Sequence, residues 1–404
     1  LWGFKINSGS SWTSYYLEEI LARAGVEITY TKVEPYWKSA RGKAPNRPVE
    51  AIVRMDQPYG AFAKALLEAQ RYPDLRDATG HPIAPYDVTA HTLPLLMDVE
   101  VQPLYAPVKY NPRVAKRIEF MLGKGSPFTR VAVYKSHVPS MDEGWTRWVI
   151  QHDANFHYDS RLTTEAAEGG NLYSLTDREA RAGNLRAKYD TIVIPDQSAR
   201  AIFEGHKQGT MPDEFTGGIG AEGVRALREF VEQGGTLVCL NRASNFAIEQ
   251  LKLPISDITA GLKRTEFYVP GSILRIELDR THPVAEDMRQ AMKFGYDKEK
   301  MAYPYEKVPK ESIAWVENSP VFEIKDDAKA AASARIIARY PQTADPLLSG
   351  WLLGKERLKG KAALVEVKLG KGRIYLFGFR PQYRGQSLVT YALFFNAITQ
   401  ISGN

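Results

Sequence analysis

The sequence lacks three features that would assign it quickly to a functional class. It has a single cysteine, Cys239, so no disulfide can form within the chain, and cysteine content says nothing about the compartment. No apolar run approaches the roughly 18 residues that a membrane-spanning helix needs. Lys and Arg exceed Asp and Glu by only six, and they are interspersed rather than gathered in the basic patch of a nucleic-acid-binding protein. The sequence therefore predicts no membrane span and no nucleic-acid partner.

Metal-ligand patterns are also missing. None of the seven histidines is followed three residues later by Glu or His, and no pair of cysteines exists. His152 and His157 are five residues apart, which would place their rings on different faces of a helix. A metal-dependent hydrolase needs two or three placed ligands and a base. We therefore predict no metal and no other cofactor bound by this chain.

What the sequence does contain is typical of a folded, multidomain protein. A chain of 404 residues is too long for one ordinary hydrophobic core, so two or three domains are expected. Hydrophobic residues make up 44% and charged residues 25%, as in globular proteins. The chain begins at Leu1 without an initiator Met, and its first residues already have the pattern of mid-domain structure. We expect it to be a piece of a longer polypeptide.

The pattern of the sequence changes after its first quarter. Residues 1–105 predict a small α/β domain, and residues 106–128 a linker. From 129 to 404, strands alternate with amphipathic helices, which indicates a doubly wound α/β domain. Runs such as YDTIVIPD and TLVCLN are continuously apolar, as in a mostly parallel sheet covered on both faces. Residues 289–345, rich in Lys, Tyr and Ala, predict an excursion from that domain.

Polar residues follow several predicted strands at their carboxyl ends. In open α/β sheets, ligands bind in the crevice at this edge, so we expect these side chains to lie together in a polar crevice. Ser140 and Glu143 also have a simpler interpretation, because their spacing suits a capping box at the start of a helix. The candidate ligand-binding residues are Ser140, Asp142, Glu143, Asp196, Asn241, Arg380, Gln382 and Arg384.

A nucleophile is poorly supported by the sequence. The turn after TLVCLN is where a nucleophile elbow would lie, but Arg242 and Phe246 stand where such a strained turn needs small residues. Cys239 lies inside the predicted strand as a small hydrophobic residue. Ser244 falls in the turn itself. A hydrolase that uses Ser244 or Cys239 stays an alternative.

The last predicted strand ends in Arg380-Pro381-Gln382, at a place where class I glutamine amidotransferases have His-Pro-Glu. A guanidinium stays protonated over the accessible pH range, so Arg380 cannot act as a base. Gln382 cannot supply the carboxylate that would orient and stabilise an imidazolium. We predict no catalytic residue here. An unpaired buried guanidinium would be costly, so we expect a carboxylate of Asp142, Glu143 or Asp196 to hold Arg380.

Several long strings together resemble the C-terminal half of large bacterial zinc carboxypeptidase-like proteins. In that family a carboxypeptidase-A-type domain comes first, and a class I glutamine amidotransferase-like domain follows. The strings are DQPYGAFAKALLEAQRYPDLR, PYDVTAHTLPLLMDVEV, SMDEGWTRW, FYVPGSILRIELDRTHPVA and LLSGWLLGKERLKGKAALVEVKLGKGRIYLFGFRPQYRGQ. The resemblance implies an amidotransferase-like fold for residues 129–404 and an extracellular or periplasmic location. It places the family's zinc ligands, an H-x-x-E pair and a distant His, in the upstream domain.

The resemblance and the missing catalytic groups lead to one reading and two alternatives. We expect a non-catalytic accessory or binding region of a zinc carboxypeptidase-like metallopeptidase, with the upstream peptidase domain as its partner. The first alternative is a stand-alone module that binds a carboxylated peptide or a sugar. The second is the hydrolase with a Ser or Cys nucleophile. A homo-oligomer is left open by the sequence.

Overall fold

The computed structural model describes residues 1–7, 12–35, 46–86, 88–108, 129–157, 170–285, 311–326 and 332–399. The chain divides into two units, Leu1–Met121 and Leu122–Asn404. The division falls within the predicted linker 106–128, most of which, residues 109–128, lies outside the described residues.

The first unit contains a four-stranded antiparallel sheet with the strand order β2-β3-β1-β4. Its strands are β1 (Gly3–Asn7), β2 (Ile28–Pro35), β3 (Asn46–Arg54) and β4 (Val101–Leu104). Its helices are α1 (Trp12–Arg23), α2 (Gly60–Leu67) and α3 (Leu93–Met97). Apolar side chains at helical spacing on α1, Leu17 and Leu21, are buried together with Phe4 and Ile6 of β1.

Five parallel strands form the centre of the second unit. They are β5 (Val131–Lys135), β6 (Leu172–Thr176), β7 (Thr191–Ile194), β8 (Thr236–Leu240) and β16 (Gly372–Phe377). They lie side by side in the order β6-β5-β7-β8-β16. In chain order this is 2-1-3-4-5, the order of flavodoxin-like doubly wound folds. Its switch point, where successive strands are added on opposite sides, lies between β5 and β7.

Helices cover both faces of this parallel group. They are α4 (Met141–His157), α5 (Asp177–Ala182), α6 (Leu185–Lys188), α7 (Ala199–Glu204), α8 (Gly220–Glu232), α9 (Ala243–Gln250) and α10 (Leu388–Thr399). Ile192 and Ile194 of β7 belong to the hydrophobic core formed with α5 to α9. The alternate residue Thr191 faces the other way and donates its hydroxyl hydrogen to the carbonyl of Ile398 on α10, 2.9 Å away. Both faces are therefore buried, which explains why these strands are apolar throughout.

Antiparallel strands extend the sheet beyond β16. The added strands are β9 (Ile255–Asp257), β10 (Ser272–Leu278), β11 (Glu311–Val316), β12 (Phe322–Ile324), β13 (Ala334–Arg339), β14 (Leu347–Ser349) and β15 (Ala362–Leu369). β15 joins β16 through a hairpin turn at Gly370, and β13 and β10 follow in the order of the sheet. The strands β11, β12 and β13 lie within the predicted excursion 289–345. The described part of that segment thus contributes strands to the sheet, while 286–310 and 327–331 lie outside the described residues.

The predicted fold class is confirmed at the level of architecture: a doubly wound α/β sheet follows a smaller α/β unit along the chain. The large sheet is more mixed than the sequence indicated, because antiparallel strands are as prominent as parallel ones in the described residues. In the described part of this unit the sequence patterns predicted helices and strands correctly. The direction of a strand, however, depends on long-range pairing, which local patterns do not indicate. None of the described helices is long and apolar enough to cross a membrane.

Candidate functional site

The candidate residues are carried by the loops that follow four parallel strands. β5, β7, β8 and β16 end at Lys135, Ile194, Leu240 and Phe377. The carboxyl ends of parallel neighbours meet at one edge of a sheet, so loops far apart in sequence converge there. The structure brings together most of the predicted residues in this way.

Arg380 lies at the centre of this edge and is only 6% exposed. Its Nη2 lies 2.6 Å from Asp196 Oδ2, and its Nε lies 3.1 Å from Asp142 Oδ1. Its Nη1 lies 3.2 Å from Oε2 of Glu317, a half-exposed residue that follows β11. The prediction that carboxylates of the chain hold Arg380 is confirmed for Asp142 and Asp196, and Glu143 is not among the partners.

Asp196 is the most heavily bonded carboxylate of the edge. Its Oδ1 accepts hydrogen bonds from Asn241 Nδ2 at 2.9 Å and from the backbone N–H of Arg242 at 3.0 Å. The guanidinium of Arg242 binds the same carboxylate, with Nη2 2.6 Å from Oδ2. Together with Arg380, these donors link the ends of β7, β8 and β16 through one buried carboxylate. We call Asp142, Asp196, Arg242, Glu317 and Arg380 the strand-end cluster.

Gln382 follows Arg380 and Pro381 just beyond the end of β16, and its side-chain amide acts as a donor. Its Nε2 lies 3.1 Å from Thr146 Oγ1 and 3.3 Å from Asp142 Oδ1. Its Oε1 is buried without a hydrogen-bond partner. The amide therefore anchors the start of α4 and offers no group for proton transfer.

The two buried aspartates of the cluster differ in ionisation. Burial raises the pKa of Asp142 to about 7, and the negative charge of Asp196 adds to this effect against the opposing charge of Arg380. Burial also acts on Asp196, but hydrogen bonds from Arg242 and the charge of Arg380 outweigh it and hold its pKa below the ordinary value. Asp196 therefore favours the ionised form, whereas Asp142 is protonated far more readily than an ordinary aspartate.

The turn after β8 carries neither of the two nucleophiles considered from the sequence. Burial raises the pKa of the Cys239 thiol, which lies within the strand. Ser244 is buried, and its hydroxyl lies 3.1 Å from the carbonyl oxygen of Cys239 and 3.0 Å from that of Phe377. Asn241 takes the strained position of the turn, with φ at 52° in the left-handed region. A carboxamide there cannot act as a nucleophile in the manner of Ser or Cys.

Beside the cluster, a cleft of about 210 Å³ opens between the ends of β5 and β7. It lies at the switch point of the sheet, where doubly wound proteins bind their ligands. Its lining residues are Tyr134, Lys135, Ser136, Val138, Pro139, Ser140, Glu143, Pro195 and Gln197. We call it the switch-point cleft.

Ser140 and Glu143 line this cleft and direct their side chains away from the predicted capping box. The Ser140 hydroxyl donates to the carbonyl oxygen of Asp196 at 3.0 Å. Glu143 accepts from Arg147 one helical turn later, with Nη2 2.7 Å from Oε1. Ser140 and Glu143 therefore bind partners elsewhere in the fold and along the helix, and they do not form the predicted capping box.

Arg384 is the predicted site residue that neither belongs nor bonds to the strand-end cluster and does not line the switch-point cleft. It is exposed, has φ of 48°, and its guanidinium lies over the ring of Tyr383.

 The distance from the guanidinium carbon of Arg384 to the centre of the Tyr383 ring is 5.2 Å. An exposed guanidinium over an aromatic ring contributes a modest cation–π interaction.

Three residues of the edge were missed from the sequence. Arg242 directly follows Asn241, and Gln197 directly follows Asp196. The search for polar residues after predicted strands would have found both if it had extended one residue further. Glu317 follows the antiparallel strand β11, and nothing in its local sequence indicates that it reaches Arg380. Among the described residues, no group of three His, Cys, Asp or Glu side chains could hold a metal ion.

Comparisons with known proteins give only distant similarities. No protein-family model matches the chain, and no curated protein matches it either. Among solved structures, a ThuA-like protein from Bacteroides uniformis is 11% identical with a TM-score of 0.34, over 72% of this chain and 98% of that one. A cytoplasmic protein from Salmonella typhimurium is 12% identical with a TM-score of 0.36, over 69% of this chain and 100% of that one. A β-galactosidase from Bacillus circulans is 14% identical with a TM-score of 0.32, over 66% of this chain and 30% of the galactosidase.

Proposed function

We propose that this chain is a non-catalytic binding region that holds a small polar molecule in the switch-point cleft. The observation that carries the proposal is the contrast between the cleft and its neighbour. Arg380 fills the position of a catalytic base and is fixed by three carboxylates, whereas the cleft beside it is open and lined by polar groups. Arg380 cannot accept a proton, and Asp142, whose pKa is raised to about 7, is buried outside the lining of the cleft, so neither group is placed to transfer a proton to a molecule bound there.

Binding is tested with a panel of small molecules in ligand-observed NMR. The panel contains free amino acids, short peptides with a free C-terminus, and monosaccharides. We expect at least one class to bind, and we expect Ser136→Phe, which fills the cleft, to abolish that binding. Thr210→Phe adds the same ring to an exposed loop and serves as the control. Binding that survives Ser136→Phe would move the site elsewhere, and no binding by any class would contradict the proposal.

The absence of catalysis has its own test. The purified chain should release no ammonia from glutamine, because Ser244 and Cys239 are buried and Arg380 cannot accept a proton. Any turnover is compared with Ser244→Ala and Cys239→Ala, since loss of activity in either variant would identify a true nucleophile. Turnover that is lost in either variant would show that the chain is a hydrolase and would contradict the proposal of a non-catalytic binding region.

The resemblance to zinc carboxypeptidase-like proteins extends the proposal to a role within a larger protein. In that role the chain would be the accessory region of an extracellular or periplasmic metallopeptidase, and zinc would belong to the upstream domain. The intact mass of the natural protein and the sequence upstream of Leu1 test this extension. An upstream H-x-x-E pair is expected, and a natural protein that starts at Leu1 would favour a stand-alone module.

A further inference from the structure

The switch-point cleft has two charged side chains in its lining, and they differ in whether the fold compensates them. Glu143 Oε1 accepts from Nε and Nη2 of Arg147, at 2.9 and 2.7 Å. The two side chains of this pair are only 19% and 16% exposed. Lys135, at the end of β5, also lines the cleft, and it has no hydrogen-bond or ion partner among the residues that the structure describes. The uncompensated charge of the cleft is therefore positive.

Buried aspartates beside the cleft bind other donors and do not line it. Asp177 is 1% exposed. It accepts from the hydroxyl of Tyr134 at 2.6 Å and from the backbone N–H of His137 at 3.3 Å. The two aspartates of the strand-end cluster are bound to Arg380. None of these carboxylates therefore serves as the counterion of Lys135.

The neutral polar side chains of the lining also have partners within the fold. These side chains are Tyr134, Ser136, Ser140 and Gln197. Gln197 Nε2 donates to the carbonyl oxygen of Val138 at 2.8 Å, and the Ser136 oxygen accepts from the N–H of the same residue at 3.1 Å. The ammonium group of Lys135 is thus the side-chain group of the described lining that is available to select a ligand, and it selects by charge.

The start of α4 adds positive potential at the same place, because Ser140 and Glu143 line the cleft there. The N–H groups in the first turn of a helix have no partner within the helix and form the positive end of its dipole. The carboxylates of Asp142 and Glu143 lie in that turn and offset part of this effect. Lys135 is therefore the main source of positive potential in the cleft.

A single uncompensated positive charge matches a single negative charge on the ligand. A carboxylate carries one negative charge at neutral pH, whereas a phosphate monoester carries about −1.5 to −2. An ammonium group binds an anion as a point charge and does not need the paired geometry of a guanidinium. We propose that the switch-point cleft binds a small molecule through one carboxylate, with Lys135 as its counterion. This inference rests on the proposed binding function and specifies its ligand class.

The experiment compares molecules that differ in one charged group. N-acetylglycine is compared with N-acetylglycinamide, and D-glucuronate with D-glucose and with D-glucose 6-phosphate. Each is titrated into the full chain at constant ionic strength, and only binding that Ser136→Phe abolishes is assigned to the cleft. We expect the carboxylate of at least one set to bind about two- to fivefold more tightly than its neutral counterpart, because the ammonium of Lys135 is exposed and partly screened by solvent.

Two matched variants assign this preference to its residue. Lys135→Gln removes the proposed counterion and should abolish the preference for the carboxylate. Lys371→Gln makes the same change of charge at an exposed lysine just before β16, at the opposite edge of the sheet, and should leave the preference unchanged. The net charge of the two variants is the same, so a difference between them reports the local contact.

Three results would overturn the inference and leave the proposed function standing, provided that Ser136→Phe abolishes the binding. The first is equal or tighter binding of the neutral molecules in the parent. The second is a preference for carboxylates that persists in Lys135→Gln. The third is tighter binding of D-glucose 6-phosphate than of D-glucuronate, which would contradict the match to a single charge. If no molecule binds, the proposed function fails, and the inference fails with it.

Discussion

Two groups of buried charges in the second unit differ in how their carboxylates are satisfied. One is the strand-end cluster around Arg380. The other, which we call the sheet cluster, consists of His282, Glu366, Arg373 and Tyr375 on and beside β15 and β16. Glu366 Oε2 lies 3.3 Å from His282 Nε2, and Oε1 lies 3.3 Å from the Tyr375 hydroxyl and 3.6 Å from Arg373 Nη1.

The sheet cluster fixes the tautomer of its histidine. The backbone N–H of Val284 donates to His282 Nδ1 at 3.1 Å, so the ring hydrogen lies on Nε2 and is donated to Glu366. Burial disfavours the ionised form of Glu366, but the hydrogen bond from His282 and the positive charge of Arg373 outweigh it and hold its pKa below the ordinary value. One carboxylate here has three partners.

The strand-end cluster has the opposite balance, because three carboxylates share two guanidinium groups. The guanidinium groups of Arg242 and Arg380 both bind Asp196 closely, and its pKa is lowered. The pKa of Asp142 is raised to about 7. Asp142 and Glu366 are equally buried, at 5% exposure each, and yet their pKa values are shifted in opposite directions. Each carboxylate accepts two hydrogen bonds, so the comparison shows that neighbouring charges distinguish them: the anion Asp196 raises the pKa of Asp142, whereas no such anion among the described residues acts on Glu366.

The largest effect is expected from Arg380→Met. The variant leaves Asp142, Asp196 and Glu317 with the single guanidinium of Arg242. Removing one partner of a buried ion pair costs roughly 3–5 kcal/mol in the free energy of unfolding. Arg384→Met, an exposed arginine of the same loop, should change it by less than about 0.5 kcal/mol. Urea unfolding of both variants measures the difference, and equal midpoints would show that Arg380 does not hold the cluster together.

A smaller effect is expected from Glu366→Gln in the sheet cluster. The amide oxygen can still accept from His282 and Tyr375, but the charge that opposes Arg373 is lost. We expect a cost of about 1–3 kcal/mol. Glu366 has a lowered pKa, so its contribution to stability is present above the ordinary Glu pKa and is lost as the pH falls through its folded value.

The pH dependence of the Glu366 contribution provides the control for the prediction on the sheet cluster. The difference in unfolding free energy between the parent and Glu366→Gln should shrink in acid and stay constant near neutral pH. Glu323→Gln, which breaks an exposed ion pair with Lys361, should cost less than about 1 kcal/mol and show little of this dependence. A Glu366→Gln variant that behaves like Glu323→Gln would remove the contrast between the clusters.

The sequence predicted the parallel half of the sheet and much of the candidate site. Both follow from one rule, because apolar strands that alternate with helices bring their carboxyl ends to one edge. The rule located Asp142, Asp196, Asn241, Arg380 and Gln382 without knowledge of their contacts. It gives the position of a residue along the chain but not the direction of its side chain, and this is why Arg384 was included.

The parts that failed depend on contacts distant in sequence. Glu317 reaches Arg380 from an antiparallel strand, and the pairing of β11 with β10 cannot be read from local periodicity. The Ser140–Glu143 capping pattern was locally sound, yet the carbonyl of Asp196 offered Ser140 another partner. The sheet cluster was missed altogether, because His282 and Glu366 are 84 residues apart.

The smallest change in stability is expected from Asp142→Asn in acid, where the carboxyl of the parent is neutral like the amide. The amide keeps an acceptor for Arg380 and Gln382, so the cost should be under about 1 kcal/mol at about pH 4. The pKa of Asp142 is raised, so its contribution to stability is full below the ordinary Asp pKa and is lost as the pH rises through about 7. The stability of the parent relative to Asp142→Asn should therefore decrease as the pH rises from about 4 to about 7.

The most direct test is a carbon-13 NMR titration of the side-chain carboxyls, with Asp142→Asn used to assign the Asp142 signal. We predict that this signal titrates with a midpoint near pH 7 and that the Glu366 signal, assigned with Glu366→Gln, titrates below the ordinary Glu range. Such a result would confirm that neighbouring charges set the ionisation of these two buried carboxylates. An Asp142 midpoint at or below the ordinary Asp value would contradict it, since Asp142 would then be as well compensated as Glu366.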